Sequence, residues 1–192
     1  MDEVLDIKAA HERTDIQPTY EMKKHDDAIM NDDSEWEWCY LTYEDLLKEA
    51  DREGLIVKEK ALQGADGLIK GNRIAIRNSI PTTIEKACVL AEELGHYHTA
   101  VGDILNLNDM SNMKQEFKGR VWGYDRQIGL LGIIKAFDRG CQSRYEIADY
   151  LGISEKYLEE AINYYRSKYG VHTTIDRYII YFIPNLSVAK LF

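Results

Sequence analysis

The segment 82–99 limits the fold of this chain more than any other part of it. Thr82 and Glu85 form the Thr-x-x-Glu pattern of a capping box, which predicts that a helix begins at this point. The residues that follow, KACVLAEELGHYHT, are apolar on most sides of such a helix, so it is not a solvated one. Its polar residues are then partly buried, and buried carboxylates need partners or a metal ion.

Three polar residues of this helix have the spacing of a metal site. Glu92 and His96 are four positions apart and lie on one helix face, where both can reach one metal ion. Glu93 lies about 100° around the helix and can address a metal-bound water. This is the H-E-x-x-H arrangement of zinc peptidases with glutamate in place of the first histidine. By itself the pattern also fits a solvated acidic helix face that carries a surface histidine.

A longer motif resembles a known family. Residues 91–103 read AEELGHYHTAVGD, and MKQEFKGRVWGYDR follows downstream. Together they resemble the phage-type branch of the ImmA/IrrE metallopeptidases, whose motif reads A-E-E-x-G-H-x-x-T-x-x-G-D and whose active-site helix follows a hairpin. The resemblance covers about residues 42–170 and implies a metal-dependent endopeptidase of the kind found in prophages and mobile elements.

The resemblance assigns roles to three residues. It implies that Glu93 is the catalytic base, that His96 binds the metal and that Glu116 is the third ligand, whereas the ligand role of Glu92 comes from its spacing to His96 and is the departure from the histidine motif. On spacing alone, Glu116 would be a solvated residue or an ion-pair partner of Arg120. Two carboxylates and one imidazole would bind zinc less selectively than two histidines do, so manganese or iron is an alternative to zinc. The glutamate at position 92 has three interpretations: Glu92 is itself a ligand, the metal is held by other residues, or the site has lost both its metal and its catalytic activity.

Residues after His96 are candidates for supporting roles. Asp103 follows Gly102, which allows the chain to turn back, so its carboxylate is predicted to orient His96 or to serve as a cap. The resemblance places Thr99 in the same region. His98 points to the opposite side of a continuous helix from His96, so a polar partner is expected for it rather than the metal.

The rest of the sequence predicts an α+β fold that is mostly helical. A capping box at Thr42 and Asp45 begins a helix that closes at Gly54, and Gly71-Asn72 is a hairpin turn between two short strands. Predicted strands cover residues 55–59, 67–70 and 73–77, predicted helices 111–126 and 129–139, and a predicted terminal hairpin turns at residues 176–177. The small sheet therefore precedes the active-site helix.

Residues 143–170 predict a helix-turn-helix with Gly152 in the turn and Ser154 capping the second helix. The exposed face at the start of that helix is largely acidic, which suits DNA phosphates poorly. The net charge of −9 and the pI of about 5.1 also argue against binding to nucleic acid or anionic membranes. We therefore expect a structural or protein-binding unit here.

We divide the chain into an acidic N-terminal arm (1–36), a metallopeptidase-like domain (37–140) and a helix-turn-helix-like C-terminal subdomain (141–192). No apolar run approaches the about 20 residues of a membrane span, and the acidic start lacks the pattern of a signal peptide. The expected location is cytoplasmic.

The leading functional hypothesis is a metal-dependent endopeptidase that cleaves a partner regulatory protein, such as a phage or mobile-element repressor. One alternative is a catalytically degenerate peptidase fold that binds such a regulator without cutting it. Another is a DNA-binding transcriptional regulator acting through the C-terminal part.

Overall fold

A computed structural model describes residues 40–99 and 109–191, with side chains described from residue 113 onward in the second range. The predicted arm at 1–36 and Asp103 lie outside the described residues. Six helices are described: α1 (Tyr43–Arg52), α2 (Thr83–Thr99), α3 (Asp109–Gln127), α4 (Gly129–Asp138), α5 (Arg144–Leu151) and α6 (Glu155–Tyr169). Six strands are described: β1 (Ile56–Lys60), β2 (Gly67–Lys70), β3 (Arg73–Arg77), β4 (His172–Ile175), β5 (Tyr178–Tyr181) and β6 (Ser187–Lys190). The α+β, mostly helical class is confirmed.

The first sheet has the strand order β1–β3–β2, which makes β2 an edge strand. Strands β2 and β3 form the predicted hairpin, and Gly71 in its turn has a φ of 59°, a conformation that glycine adopts without strain. Strand β1 pairs in parallel with β3, which the sequence did not predict. The segment from β2 to α2 therefore has the predicted order of hairpin followed by helix.

Helix α2 begins as its capping box predicts. The Thr82 hydroxyl accepts from the Glu85 backbone N–H at 3.1 Å and the Glu85 carboxylate accepts from the Thr82 backbone N–H at 3.3 Å. One side of the helix packs on the first sheet and α1. The buried apolar residues of this first core are Leu46, Ala50, Leu55, Ile74, Ile76, Ile80, Ala87, Leu90, Ala91 and Leu94.

A second core joins α2 and α3 to α4, α5, α6 and the second sheet. The helix-turn-helix has the predicted local geometry: Gly152 lies in the turn with a φ of 63°, and the Ser154 hydroxyl accepts from the Tyr157 backbone N–H at 3.2 Å. The predicted terminal hairpin of β4 and β5 gains a third antiparallel strand, β6. Cys88 of α2 and Tyr124 of α3 both belong to this second core.

The described residues all belong to one unit of the chain, Trp38–Phe192. The domain boundaries proposed from the sequence stay predictions. None of the helices within residues 40–99 and 109–191 has the length and apolar character needed to cross a membrane.

Candidate metal and acid–base site

Close packing of α2 against α3 forms the site. A Cβ on Gly95 would overlap the backbone carbonyl of Gly119, and a Cβ on Gly123 would lie 3.4 Å from the carbonyl oxygen of Ala91. Gly95 of α2 thus lies beside Gly119 of α3, and Ala91, four residues earlier in α2, lies beside Gly123, four residues later in α3. The two helices are therefore antiparallel. Because no side chain separates the backbones, the polar residues beside these glycines are brought together across the interface.

His96 and Glu116 meet at this interface. The His96 Nε2 and Glu116 Oε2 atoms are 3.4 Å apart. The ring of His96 also lies against Gly119, where a Cβ would overlap its Nδ1 atom. Burial, followed by the charge of Arg120, lowers the pKa of His96, although Glu116 opposes the change. A neutral imidazole beside a carboxylate is the form in which histidine binds a metal ion.

Glu93 lies on the adjacent part of α2, where it faces the first sheet. Its side chain contacts Gly67 at the start of β2, and a Cβ on Gly67 would overlap the Glu93 carboxylate. Glu93 is only 8% exposed. Burial, together with the charges of Glu92 and Glu116, raises its pKa to about 7. Among the described residues no hydrogen bond reaches the Glu93 carboxylate, so it is free to accept a proton from a bound molecule.

Glu92 faces α3 and α6. Burial raises its pKa to about 7; Arg120 lowers it, while Glu160 and Glu116 raise it further. Within the described part of the chain, its carboxylate does not fall within 4.8 Å of both His96 and Glu116. Two of the three predicted ligands therefore converge in this structure, and the role of Glu92 as the third stays a prediction.

The remaining candidates are only partly described. The Thr99 hydroxyl donates to the backbone carbonyl of Gly95 at 2.7 Å, one residue before His96. The predicted contact between Asp103 and His96 lies outside the described residues.

A second group of donors lies on the other side of α2. The side chains of Glu49, Glu53 and His98 have ligand atoms that all lie within 4.8 Å of one another, so the group could hold a metal ion. His98 Nε2 is 3.3 Å from Glu53 Oε1, and its ring stacks on Trp122 at 4.6 Å between centroids. Arg126 already pairs with Glu49 through two hydrogen bonds of 2.7 and 3.2 Å.

This second group was not predicted from the sequence. The i, i+4 spacing of Glu49 and Glu53 places both on one face of α1, and that signal was available. The position of His98 beside these two residues could not be predicted from the sequence, because it depends on how α1 packs against α2. His98 was expected to have a polar partner rather than to bind a metal; it has such a partner in Glu53, but the group that it joins could itself hold an ion.

The residues at the first site fit a divalent cation in two respects. His96 and Glu116 offer nitrogen and oxygen donors from facing helices, the types that zinc accepts. Glu92 and Glu93 are carboxylates whose pKa values are raised by burial and by the charge of Glu116, a repulsion that a bound cation would relieve. Two donor side chains are therefore in place at this site, and among the described residues no third ligand lies within 4.8 Å of both.

No protein-family model matches this chain, and no curated protein matches it significantly. The assignment of a function therefore depends on the geometry of the site and on the motif around Glu93 and His96.

Proposed function

We propose that this protein is a metal-dependent endopeptidase that cleaves a partner regulatory protein, such as a phage or mobile-element repressor. The observation that carries the proposal is the position of Glu93. Its buried carboxylate has a pKa near 7 and belongs to the helix that brings His96 to 3.4 Å from Glu116. A base with a pKa near the working pH is the most effective one for proton transfer.

The proposed reaction is hydrolysis of a peptide bond. A metal ion, zinc or else manganese or iron, would polarise the carbonyl and lower the pKa of the attacking water. Glu93 takes one proton from that water. The water oxygen bonds to the carbonyl carbon, and one C=O electron pair moves onto the carbonyl oxygen. When this pair returns, the C–N bond breaks and Glu93 gives its proton to the leaving amine. His96 and Glu116 would hold the ion, with Glu92 as the proposed third ligand.

The edge strand β2 supports a peptide as the substrate. Its free edge pairs with no described strand, and Gly67 at its start contacts the Glu93 carboxylate. An extended peptide can add to an unpaired strand edge through backbone hydrogen bonds. A peptide bound along β2 would thus pass beside the proposed base. Leu68, exposed at 56%, gives this edge an apolar side chain.

The acidic chain suits a basic partner. The net charge is −9, and DNA-binding repressors carry the opposite charge on the surface that contacts phosphates. The partner is therefore proposed as a class, a basic DNA-binding regulator.

Metal content tests the proposal. Wild type, Glu92→Gln, His96→Ala and Glu116→Gln would be dialysed against zinc and then against metal-free buffer before elemental analysis. His98→Ala is the matched control, because it removes a histidine of the same helix that belongs to the second group. We expect about one zinc in the wild type and in His98→Ala, and little in His96→Ala or Glu116→Gln. Loss of zinc from His98→Ala alone would place the ion at the second group and contradict the proposal.

Cleavage is tested separately from metal content. The zinc-loaded wild type and Glu93→Gln would be incubated with a peptide library made by digesting a bacterial proteome, and new termini would be identified by mass spectrometry. We expect cleavage by the wild type and a decrease of at least ~100-fold in Glu93→Gln, since general base catalysis contributes on this order. Zinc binding without any cleavage by the wild type would favour the second candidate, a degenerate peptidase fold that binds a regulator. The observation that favours this candidate is that the Glu92 carboxylate does not lie within 4.8 Å of both His96 and Glu116 in the described part of the chain.

A further inference from the structure

The guanidinium of Arg120 lies beside the proposed metal ligand Glu116, and the proposed function does not use it. Arg120 is one helical turn after Glu116 on α3 and donates from Nη2 to Glu116 Oε1 at 3.3 Å. The other carboxylate oxygen of Glu116 is the one that faces His96. Glu116 therefore lies between the imidazole and the guanidinium, which fixes Arg120 close to the place where a metal ion would bind.

Arg120 also acts on the facing helix. Because α2 and α3 are antiparallel, Glu92 lies at the level of Arg120 when His96 lies at the level of Glu116. Arg120 is the cation whose charge acts on both Glu92 and His96. A guanidinium is not deprotonated in proteins, so this positive charge is permanent.

Much of the guanidinium remains available to a ligand. The Arg120 side chain is 46% exposed, and in the part of the chain that the structure describes its Nε and Nη1 atoms have no hydrogen-bond partner. A cation that is held at one end and open at the other is arranged to bind an anion in a defined position. Lys156, the other cation near Glu92, is 87% exposed and 3.9 Å from Glu160, so it is held less firmly.

We infer that Arg120 is a further catalytic residue, which donates hydrogen bonds to the carbonyl oxygen of the scissile peptide as that oxygen becomes negatively charged. This inference rests on the proposed function, because it concerns the same reaction at the same site. When water adds to the carbonyl carbon, the electron pair that moves onto oxygen needs a positive partner. A fixed guanidinium stabilises this charge more than that of the neutral ground state, which is what accelerates a reaction.

A tetrahedral anion tests the inference without a known substrate. Methylphosphonate would be titrated into the full-length zinc-loaded protein by calorimetry, for wild type, Arg120→Ala and Arg120→Lys. Arg144→Ala is a matched control, because Arg144 pairs with Glu159 at 3.4 Å and the side chain is 47% exposed, almost the same as in the Arg120 pair. Zinc content and thermal stability would be measured for each protein.

We expect Arg120→Ala to weaken methylphosphonate binding at least ~10-fold with its zinc content unchanged, since charge-assisted hydrogen bonds are among the strong ones. Arg120→Lys should keep part of the affinity, and Arg144→Ala should bind as the wild type does. Wild-type affinity in Arg120→Ala would overturn the inference and leave the proposed function standing. Loss of zinc from Arg120→Ala would also overturn it, because Arg120 would then act only by positioning Glu116. A wild type that takes up no zinc would overturn the proposed function and this inference together.

Discussion

Gly95 of α2 lies directly against the backbone carbonyl of Gly119 in α3, with no side chain between the two helices. This contact sets the distance between the helices at the level where His96 faces Glu116. A larger residue at Gly95 would move the helices apart, and one at Gly119 would displace the ring of His96. The smallest residues at the site therefore determine whether its donors can meet.

The first prediction concerns Gly119→Ala. In an exposed helix, glycine to alanine stabilises by about 1 kcal/mol through helix propensity. Here the added methyl would overlap the ring of His96, so we expect a loss of about 1–3 kcal/mol in the free energy of unfolding, together with weaker zinc uptake. Urea denaturation measures the first quantity. Lys118→Ala, at an exposed position of the same helix, is the control and should stay within about 0.5 kcal/mol of the wild type. A Gly119→Ala protein more stable than the wild type would mean that the two helices are not in contact.

The second prediction concerns Gly67→Ala. The new methyl group would overlap the Glu93 carboxylate, so either β2 or Glu93 must move. We expect a loss of about 1–2 kcal/mol in stability and a decrease in peptide cleavage, with zinc content unchanged because Glu93 is not a proposed ligand. Leu68→Ala, the exposed neighbour, controls for changes in the strand itself. Cleavage and stability both equal to wild type would show that Gly67 does not position Glu93.

The third prediction is a pH dependence of the metal-free protein. The pKa of Glu93 is about 7 in the folded state and 4.5 in the ordinary, unfolded one. Between these values the folded state binds more protons than the unfolded state, so stability falls as the pH rises. The Glu93 contribution is fully present below pH 4.5 and is lost as the pH rises through 7.

Comparison with Glu93→Gln isolates this effect, because Glu92 and His96 titrate in both proteins. In the presence of a chelator, the stability of the wild type relative to Glu93→Gln should fall by about 2 kcal/mol between pH 5 and pH 8. Urea denaturation at the two pH values provides the measurement. Parallel pH profiles for the two proteins would show that the carboxylate of Glu93 is not buried as described.

The fourth prediction concerns Arg126 and Glu49. Their two hydrogen bonds join α3 to α1, and the two side chains are only 16% and 15% exposed. Arg126→Ala would leave the Glu49 carboxylate unpaired in a partly buried place, so we expect a loss of about 1–3 kcal/mol. Arg144→Ala breaks an exposed pair and should cost less than about 1 kcal/mol. Equal costs for both variants in thermal denaturation would contradict this difference in burial.

Local signals account for the parts of the fold that were predicted correctly. The capping box at Thr82 fixed the start of α2, and Gly71-Asn72 fixed the hairpin of β2 and β3, because each depends on residues close together in the chain. The same holds for Gly152 and Ser154 in the helix-turn-helix. The geometry of a cap or a tight turn is set by the few residues that form it, so it can be predicted without knowing the tertiary structure.

Contacts between distant segments were not predicted. The parallel pairing of β1 with β3, the strand β6 and the grouping of His98 with Glu49 and Glu53 each depend on packing that no short pattern encodes. At the site, the pairing of His96 with Glu116 was implied by the motif, but the glycine contact that makes it possible was not. Glycine has no side chain to form a pattern, so its role appears only when two helices meet.

The packing of helix α2 limits which segments of this chain can be replaced during evolution. Ala87 and Leu90 belong to the core shared with the first sheet, whereas Cys88, between them, belongs to the core shared with α5 and α6. One helix thus forms a common wall of both cores. The C-terminal part is therefore not a module that recombination can exchange alone. Any replacement must pack on the Cys88 face of α2, the helix that also carries Glu93 and His96.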